Sequence, residues 1–494
     1  MAFDTVLIAN RGEIAVRVAQ ACRELGLRSV AVYSQADAGA LHTRTADEAM
    51  GLGPAEARES YLHIERILAA AQRSGAQAVH PGYGFLAENA EFAEAVQAAG
   101  LVWIGPPPAA MRAMGDKAGA RELMLKAGVP VLPGYQGADT PAALKKAANE
   151  IGFPLLVKAA AGGGGMGQRV VSHPAELDEA IGSARGEAKR GFGSERLILE
   201  KYLARARHVE VQVLGDTQGK LLHLFERECS LQRRRQKLVE ESPSPFLDET
   251  LRAEMGAAAV AAARSVGYVN AGTVEFLVNP DTRKFYFLEM NTRIQVEHPV
   301  TELVTGVDLV QWQLRIAAGE PLPFAQADLR QSGHAIECRV YAEDPAAGFL
   351  PQAGQALRLA WPQIAGLRVD AAVAQGDAVG SSYDPMLAKL IVHAEDRRAA
   401  LAALREALAA SVLLGVTHNM DFLQDLLAHP KVAAGEFDTG FVEREMAEWQ
   451  PAELTESTLL AALSIEMGVT HADDQTTHPY SPWDDHQSFR LGGS

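Results

Sequence analysis

Short apolar runs and amphipathic stretches alternate along the first third of the chain. Thr5–Ala9 is a continuous apolar run of buried-strand type, a helical pattern follows from about Glu13 to Leu25, and Ser29–Tyr33 repeats the strand signal. Ala78–His80 and Val102–Ile104 do so again, with helical stretches between them. That order predicts parallel strands joined by crossover helices. Gly105-Pro-Pro-Pro108 closes this unit. A second, smaller unit, about Val131 to Leu203, sets two β-branched strands around a glycine-rich turn. A third runs from Arg207 to about Glu445, with an Ala-rich helix near Leu251–Val266 and a last strong helix at Asp396–Ala410. Beyond Gln450 the pattern predicts one more helical run, Leu454–Met467, then a tail rich in Asp and His. No internal repeat is visible. The predicted class is mixed α/β and α+β.

Within the third unit the polar positions carry the sharpest chemical signal. Thr273–Val278 and Lys284–Asn291 read as two strands about the turn Asn-Pro-Asp-Thr-Arg. Folded as a hairpin about residue 282, they place Glu275 opposite Glu289, with Asn291 two residues on and on the same face. Two carboxylates directly across a sheet repel unless a cation sits between them. An all-oxygen pair with an amide beside it suits Mg²⁺, or Mn²⁺, shared with nucleotide phosphates. A surface hairpin with salt-bridging glutamates is the plainer alternative.

Composition narrows the partners. The 494 residues allow roughly three domains. Lys plus Arg is 46 against 62 Asp plus Glu, a formal charge of −16, so no basic excess exists for general nucleic-acid binding. No apolar run is long enough to cross a bilayer. Cys22, Cys229 and Cys338 are widely spaced and fit no zinc or redox pattern. With a buried-strand pattern at the N-terminus and no targeting segment before it, the expected location is cytoplasmic. The tail histidines His471, His478 and His486 lack ligand spacing and read as a solvated linker.

Phosphate-binding chemistry is suggested upstream of the hairpin. Phe153–Lys158 is a strand ending in lysine, followed by Gly162-Gly163-Gly164-Gly165-Met166-Gly167 and a second strand, Arg169–Val171. Glycines let backbone N–H groups approach phosphate oxygens closely. No Gly-Lys-Ser/Thr occurs and no helix follows, so this is a flap between strands rather than a P-loop. Lys117 opens a helix and, alone, reads as a surface charge. Glu200–Leu203 ends a strand, either as an ordinary strand end or as a hinge offering backbone groups to a base edge. The basic run Gln232-Arg-Arg-Arg235-Gln-Lys237 stands out in an acidic chain, as solvated surface or as an anion pocket.

Together these residues resemble the ATP-grasp biotin carboxylase family, over nearly the whole chain to about Glu445. The likeness is carried by Ile8–Ala15, His80–Asn89, Met114–Lys117, Gly162–Gly167, Glu289–Glu302 and Glu337–Val340. It implies an ATP-grasp fold at 116–330 with a mobile lid at about 131–203. Around it would lie an N-terminal Rossmann-like domain at 1–115, a C-terminal biotin carboxylase domain at 331–446, and the start of a linking domain at 447–494. It also implies two coupled steps. ATP phosphorylates bicarbonate to carboxyphosphate, and biotin is then carboxylated at its ureido N1′.

Residue by residue, Lys117, Lys158 and the flap (Gly163, Gly164, Gly165) would hold the nucleotide phosphates. Glu200 to Leu203 would meet the adenine, and His208 and Gln232 the ribose. Glu275, Glu289 and Asn291 would hold the metal. Lys237, Arg293, Gln295 and the Val296 backbone would bind bicarbonate, with Glu297 as the base. Arg339 would stabilise the biotin enolate, with Tyr83 near the ring. The chain departs from the family in two places, at three positions: Arg235 stands where it often has His, and Met166 and Gln168 where it has Arg or Lys and then Met.

Ser481-Pro-Trp483 and Phe489-Arg-Leu-Gly-Gly resemble the linking domain of methylcrotonyl-CoA and geranyl-CoA carboxylase α subunits. No Met-Lys-Met biotin attachment sequence occurs, so biotin is expected on a carrier domain outside this chain, which reads as a piece of a longer subunit. Expected partners are that biotin carboxyl carrier domain and a carboxyltransferase β subunit, in an oligomer. Biotin carboxylases of acetyl-CoA, propionyl-CoA or pyruvate carboxylase type share the same motifs. Another ATP-grasp ligase would share Lys158, the flap and the metal hairpin but would not need Arg339 or the Arg293–Glu297 loop. A catalytically dead nucleotide-binding subunit is the third alternative.

Overall fold

The computed structural model describes residues 2–159, 168–192, 195–453 and 460. The glycine flap (Gly163, Gly164, Gly165 and Met166 included), most of the helical run 454–467 and the Asp- and His-rich tail lie outside the described residues. Met1–Trp449 fold as one compact unit.

The opening alternation folds as its order predicts. β1 (Thr5–Ile8), β2 (Arg28–Ser34), β3 (Glu48–Gly53), β4 (Ala78–His80) and β5 (Val102–Trp103) form a parallel sheet in the order β3-β2-β1-β4-β5. β1 is buried along its length, as a central parallel strand covered on both faces must be. The helix Gly12–Glu24 crosses from β1 to β2, and Ile14, Val18 and Ala21 pack into the same core as Leu309, Val310 and Leu314.

β6 (Gly134–Tyr135), β7 (Leu155–Ala159), β8 (Gln168–Val171) and β9 (Leu197–Lys201) make a separate antiparallel sheet, ordered β6-β9-β7-β8. β7 and β8 bracket the glycine run, and Lys158 pairs with Gln168 where it opens. A strand, not a helix, follows the glycines.

The third sheet holds β10 (Arg207–Gly215), β11 (Leu221–Arg233), β12 (Gln236–Ser242), β13 (Asn270–Val278), β14 (Phe285–Asn291), β15 (His334–Tyr341), β16 (Leu367–Ala371) and β17 (Met386–Ala394). Its order is β14-β13-β10-β11-β12-β15-β17-β16, so one continuous sheet crosses position 330 through the β12–β15 pairing. The Ala-rich helix spans Glu249–Ser265, capped by Asp248. Arg397–Ala410 is not the last helix. Met420–Ala428, Pro430–Ala433 and Phe441–Glu445 follow it, and Phe422, Leu423 and Leu426 are buried against its Leu404 and Leu408.

Glu302 ties three parts of the unit together. Its carboxylate accepts from Arg17 at 3.1 Å, from Arg368 on β16 at 2.6 Å and from the Leu309 N–H at 2.8 Å. Burial alone would raise its pKa, but Arg17 and Arg368 outweigh that and hold it at about 2. A depressed carboxylate pKa stabilises the fold above the unfolded value and loses that contribution as pH falls through the folded one. Wild-type protein is therefore expected to lose about 3 kcal/mol of its advantage over Glu302→Gln between about pH 5 and pH 2. Urea titrations of both proteins across that range check it.

Candidate active site

Register alone lays a row of charges across one face of the large sheet. Glu289 on β14 faces Glu275 on β13, as the hairpin reading expects; Glu275 faces Glu210 on β10, and Glu210 faces Arg227 on β11. Three adjacent carboxylates repel one another, so cations must sit among them. Lys237 Nζ lies 2.6 Å from Glu210, 2.6 Å from Glu297 and 3.1 Å from Glu275. Arg227 is fully buried and commits every N–H. It donates to Glu210 (2.6 Å), Gln212 (2.7 Å), Thr301 (3.0 Å), Thr273 (3.0 Å) and Gln295 (2.7 Å). A buried guanidinium with all its donors satisfied is a rigid anchor.

Glu297 stands between two cations. Lys237 donates to Oε1 at 2.6 Å and Arg339 to Oε2 at 2.9 Å. Burial would push this carboxyl up, but Lys237, Arg339 and Arg227 together hold it well below the usual range. Arg339 in turn is gripped by Glu240, whose Oε1 accepts from Nε at 2.6 Å. Tyr83 donates its hydroxyl to Glu13, within the field of Arg339, and burial raises its pKa well above the ordinary value, so it is a neutral donor.

Expected anion ligands are present but engaged with protein. Gln295 gives its amide N–H to Glu275 at 2.8 Å and its oxygen to Arg227. The Val296 carbonyl accepts from Lys389 at 2.7 Å. Arg293 donates to Asn291 Oδ1 at 3.1 Å, and its Nε lies 3.5 Å from Glu88. These contacts set it beside the metal hairpin.

The metal trio meets a physical test of fit. Glu275 accepts from Asn291 at 2.7 Å, from Gln295 and from Lys237, and His208 Nε2 lies 3.0 Å from its second oxygen. Burial would raise this carboxyl, but Lys237 and His208 hold it well down. Glu289 has no hydrogen-bond donor among the described residues and is pushed up, first by desolvation and then by Glu275. Its side chain is nonetheless exposed to solvent. An accessible carboxylate strained by its neighbour, with an amide on the same face, suits a hard divalent ion with oxygen ligands. His208, Glu210 and Glu275 also converge within 4.8 Å, but Lys237 already bridges the two carboxylates there.

Lys117, heading the helix Lys117–Lys126, shares a field with Glu289, Lys158, Glu200 and Arg235. Desolvation, first, lowers its pKa. Lys158 pairs with Glu200 at 2.5 Å across β7 and β9. Leu203 is half-buried just past the end of β9. Gln232 sits 3.5 Å from His208 Nδ1, so the expected pair is adjacent, although His208 turns its other nitrogen to Glu275. Two of the positions that depart from the family meet: Arg235, at the β11–β12 turn, donates to Gln168 of β8 at 2.5 Å. Of the rest of the basic run, Arg233 stacks on Phe349 at 4.0 Å and Arg234 is exposed.

Sequence reasoning missed Glu210, Arg227, Glu240, Lys389 and Glu13, which hold the site from behind. Their one signal is a charged residue inside an otherwise buried strand, such as Glu210 in a strand buried at every position. A charge there demands a partner.

Family models match three consecutive stretches. The biotin carboxylase N-terminal domain matches residues 2–111, the carbamoyl-phosphate synthase L chain ATP-binding domain 116–325, and the biotin carboxylase C-terminal domain 337–444. The α subunit of mitochondrial methylcrotonoyl-CoA carboxylase from Dictyostelium discoideum is 48% identical over 98% of this chain and 70% of its own length. Its counterpart from Oryza sativa subsp. japonica is 52% identical over 90% of this chain and 60% of its own length. The chain thus spans about two thirds of the length of these two relatives. Among solved structures, the biotin carboxylase domain dimer of the Hydrogenobacter thermophilus 2-oxoglutarate carboxylase, in complex with MgADP, ADP and bicarbonate, superposes with a TM-score of 0.86. It is 45% identical, covering 91% of this chain and 99% of that one. The ATP-binding model alone is shared with other ligases, but the carboxylase models on either side of it and the end-to-end likeness place this chain in the biotin carboxylase family.

Proposed function

We propose that this chain carries out the ATP- and bicarbonate-dependent carboxylation of biotin at N1′, through carboxyphosphate, as the biotin carboxylase component of an acyl-CoA carboxylase. The observation that carries the reading is Glu297, an ionised buried carboxylate joined to Lys237 on one side and Arg339 on the other. A bicarbonate oxygen attacks the γ-phosphorus of ATP, the bond to the ADP oxygen breaks, and the bicarbonate proton passes to Glu297. Lys237, released from its carboxylates, stays beside the anion and balances its charge. Lys117 and Lys158 neutralise phosphate oxygens, because phosphoryl transfer needs positioning and charge compensation more than covalent help. Glu275, Glu289 and Asn291 would hold Mg²⁺ or Mn²⁺, which supplies charge neutralisation at the phosphates. Arg339 faces the biotin side.

The test is bicarbonate-dependent ATP hydrolysis with and without free biotin. Stimulation by biotin is the expected result. Turnover indifferent to biotin would mean another ATP-grasp ligase, and intact nucleotide binding without turnover would mean a dead subunit. Arg235 joins Lys117 and Lys158 at the phosphate end and reaches the lid through Gln168. Arg235→Ala is therefore expected to raise the KM for ATP several-fold and to change kcat by less than about twofold, since it removes binding shared by ground and transition states. Steady-state kinetics in ATP check it.

The parent enzyme proposed is of methylcrotonyl-CoA or geranyl-CoA type. The Dictyostelium match runs over 98% of this chain and so continues into the region after 447 that carries the linker-like motifs. The division proposed is 1–115, 116–330 with its lid at 131–203, 331–446 and 447–494; the three matched stretches support the first, second and third of these units. The partners are a biotin carboxyl carrier domain and a carboxyltransferase β subunit, in an oligomer. Among the described residues no helix is long and apolar enough to cross a membrane. Cys22, Cys229 and Cys338 are free and buried, which supports the cytoplasm as the proposed compartment.

A further inference from the structure

Behind Arg339 lies a second pair of facing carboxyls that the reaction as described does not use. Glu240 on β12 is directly opposite Glu337 on β15, and both are completely buried. Glu240 Oε1 accepts from Arg339, but among the described residues its Oε2 has no partner, and neither oxygen of Glu337 has one. The charged groups around Glu337 are Glu240 on β12, Arg339 on its own strand, Lys389 on β17 and Glu297 from the loop ahead of the helix His298–Thr305. Those around Glu240 are Arg339, Glu297 and Lys237. Lys389 is already committed to the Val296 carbonyl at 2.7 Å and lies 3.2 Å from Glu13 and 3.6 Å from Asp370. Two opposed buried carboxyls cannot both ionise. The one carrying a guanidinium keeps its charge, and the one with no donor keeps its proton. Burial, first, raises both from the usual carboxylate range, and Glu337 well above it.

We propose that Glu337 stays protonated and donates to the free Oε2 of Glu240, making it a positioning residue that fixes Glu240, and through it the Arg339 guanidinium, for the biotin step. One O–H···O bond fills an otherwise unpartnered atom on each side chain. It also leaves Arg339 facing two carboxylates, Glu240 and Glu297, instead of three, so its positive charge remains available to a developing anion. The placement of the proton rests on the facing register, the burial and the unpartnered oxygens, independently of the proposed function. Its consequence for turnover rests on the biotin-side reading of Arg339.

Two measurements separate these parts. Infrared difference spectroscopy of wild type against Glu337→Gln at neutral pH reads the proton directly. A protonated-carboxyl C=O band lost in the variant supports the proposal, and its absence from wild type overturns it, whatever the activity. Biotin-stimulated turnover reads the positioning. Glu337→Gln, whose amide can still donate to Glu240, is expected to stay within about threefold of wild type. Glu337→Leu, which cannot donate, should fall about tenfold or more in that assay, and less in bicarbonate-dependent ATP cleavage without biotin. The neutral form is the working one, so wild type should lose biotin stimulation as pH rises and Glu337→Gln should not. Equal impairment of the two variants, or an alkaline fall that survives in Glu337→Gln, overturns the positioning role. Should Glu337→Leu fail to fold, the spectrum and the Glu337→Gln pH profile still decide.

Discussion

Glu297→Gln is expected to abolish bicarbonate-dependent ATP cleavage, by about 10²–10⁴-fold, while ADP binds within a few-fold of wild type. The carboxylate is held ionised by Lys237 at 2.6 Å and Arg339 at 2.9 Å, so it is available as an acceptor throughout the neutral range. Those cations also limit its basicity, and position has to compensate: proton transfer is efficient only because the acceptor stands beside the anion it deprotonates. An amide keeps the shape and one acceptor oxygen but turns its NH₂ toward one of the two cations and cannot take a proton. The nucleotide end, at Lys117, Lys158 and the Arg235–Gln168 contact, has no direct hydrogen bond to Glu297, so affinity for ADP is the internal control. ATPase assays with calorimetric titration of ADP check both halves. Near-normal turnover in the variant would remove Glu297 from the role of base.

The same residues show what a chain discloses before it is folded. The metal hairpin is legible because its two acids lie symmetrically about a polar turn, yet the ladder reaches that register by an irregular route. Phe276 pairs with Phe287 and Glu275 with Glu289, so Leu288 is an extra residue on β14. Strict alternation from the turn would have put Leu288 opposite Glu275, and the bulge restores the acid. The parallel sheet is legible because buried parallel strands are continuous apolar runs. By contrast, the supporting charges are nearly invisible. Arg227 lies in Phe-Glu-Arg-Glu-Cys, which reads as an ordinary edge, and its partners are 15 to 74 residues away. Glu240 and Lys389 come from strands that only the sheet order places in one sheet, and Glu13 reaches Lys389 from the helix Gly12–Glu24. The helix Met420–Ala428 does space its apolar residues at helical intervals (Phe422, Leu423, Leu426, Leu427), but over nine residues that signal is short. The position of Arg293 on the metal side also depends on Glu88, about 200 residues away in sequence.

Arg339→Ala is expected to lower biotin carboxylation by about 10²–10³-fold and bicarbonate-dependent ATP cleavage by only about tenfold. A preorganised cation facing the charge that develops on biotin is lost outright in the second step. In the first step it is one of two partners of Glu297, and Lys237 remains in place at 2.6 Å. The 2.9 Å contact with Glu297 Oε2 explains why the first step cannot be untouched. Losing that cation lets the base rise toward the ordinary carboxylate range and lose its fixed orientation. Glu240 would also be left buried without its guanidinium, a cost of about 3–5 kcal/mol for a broken buried pair. Protonation of Glu240 would relieve part of that cost. Urea unfolding measured beside the two activity assays therefore separates lost stability from lost chemistry. A variant that is folded at the assay temperature, with both activities reduced by the same factor, would show that Arg339 serves the base alone and not the biotin step.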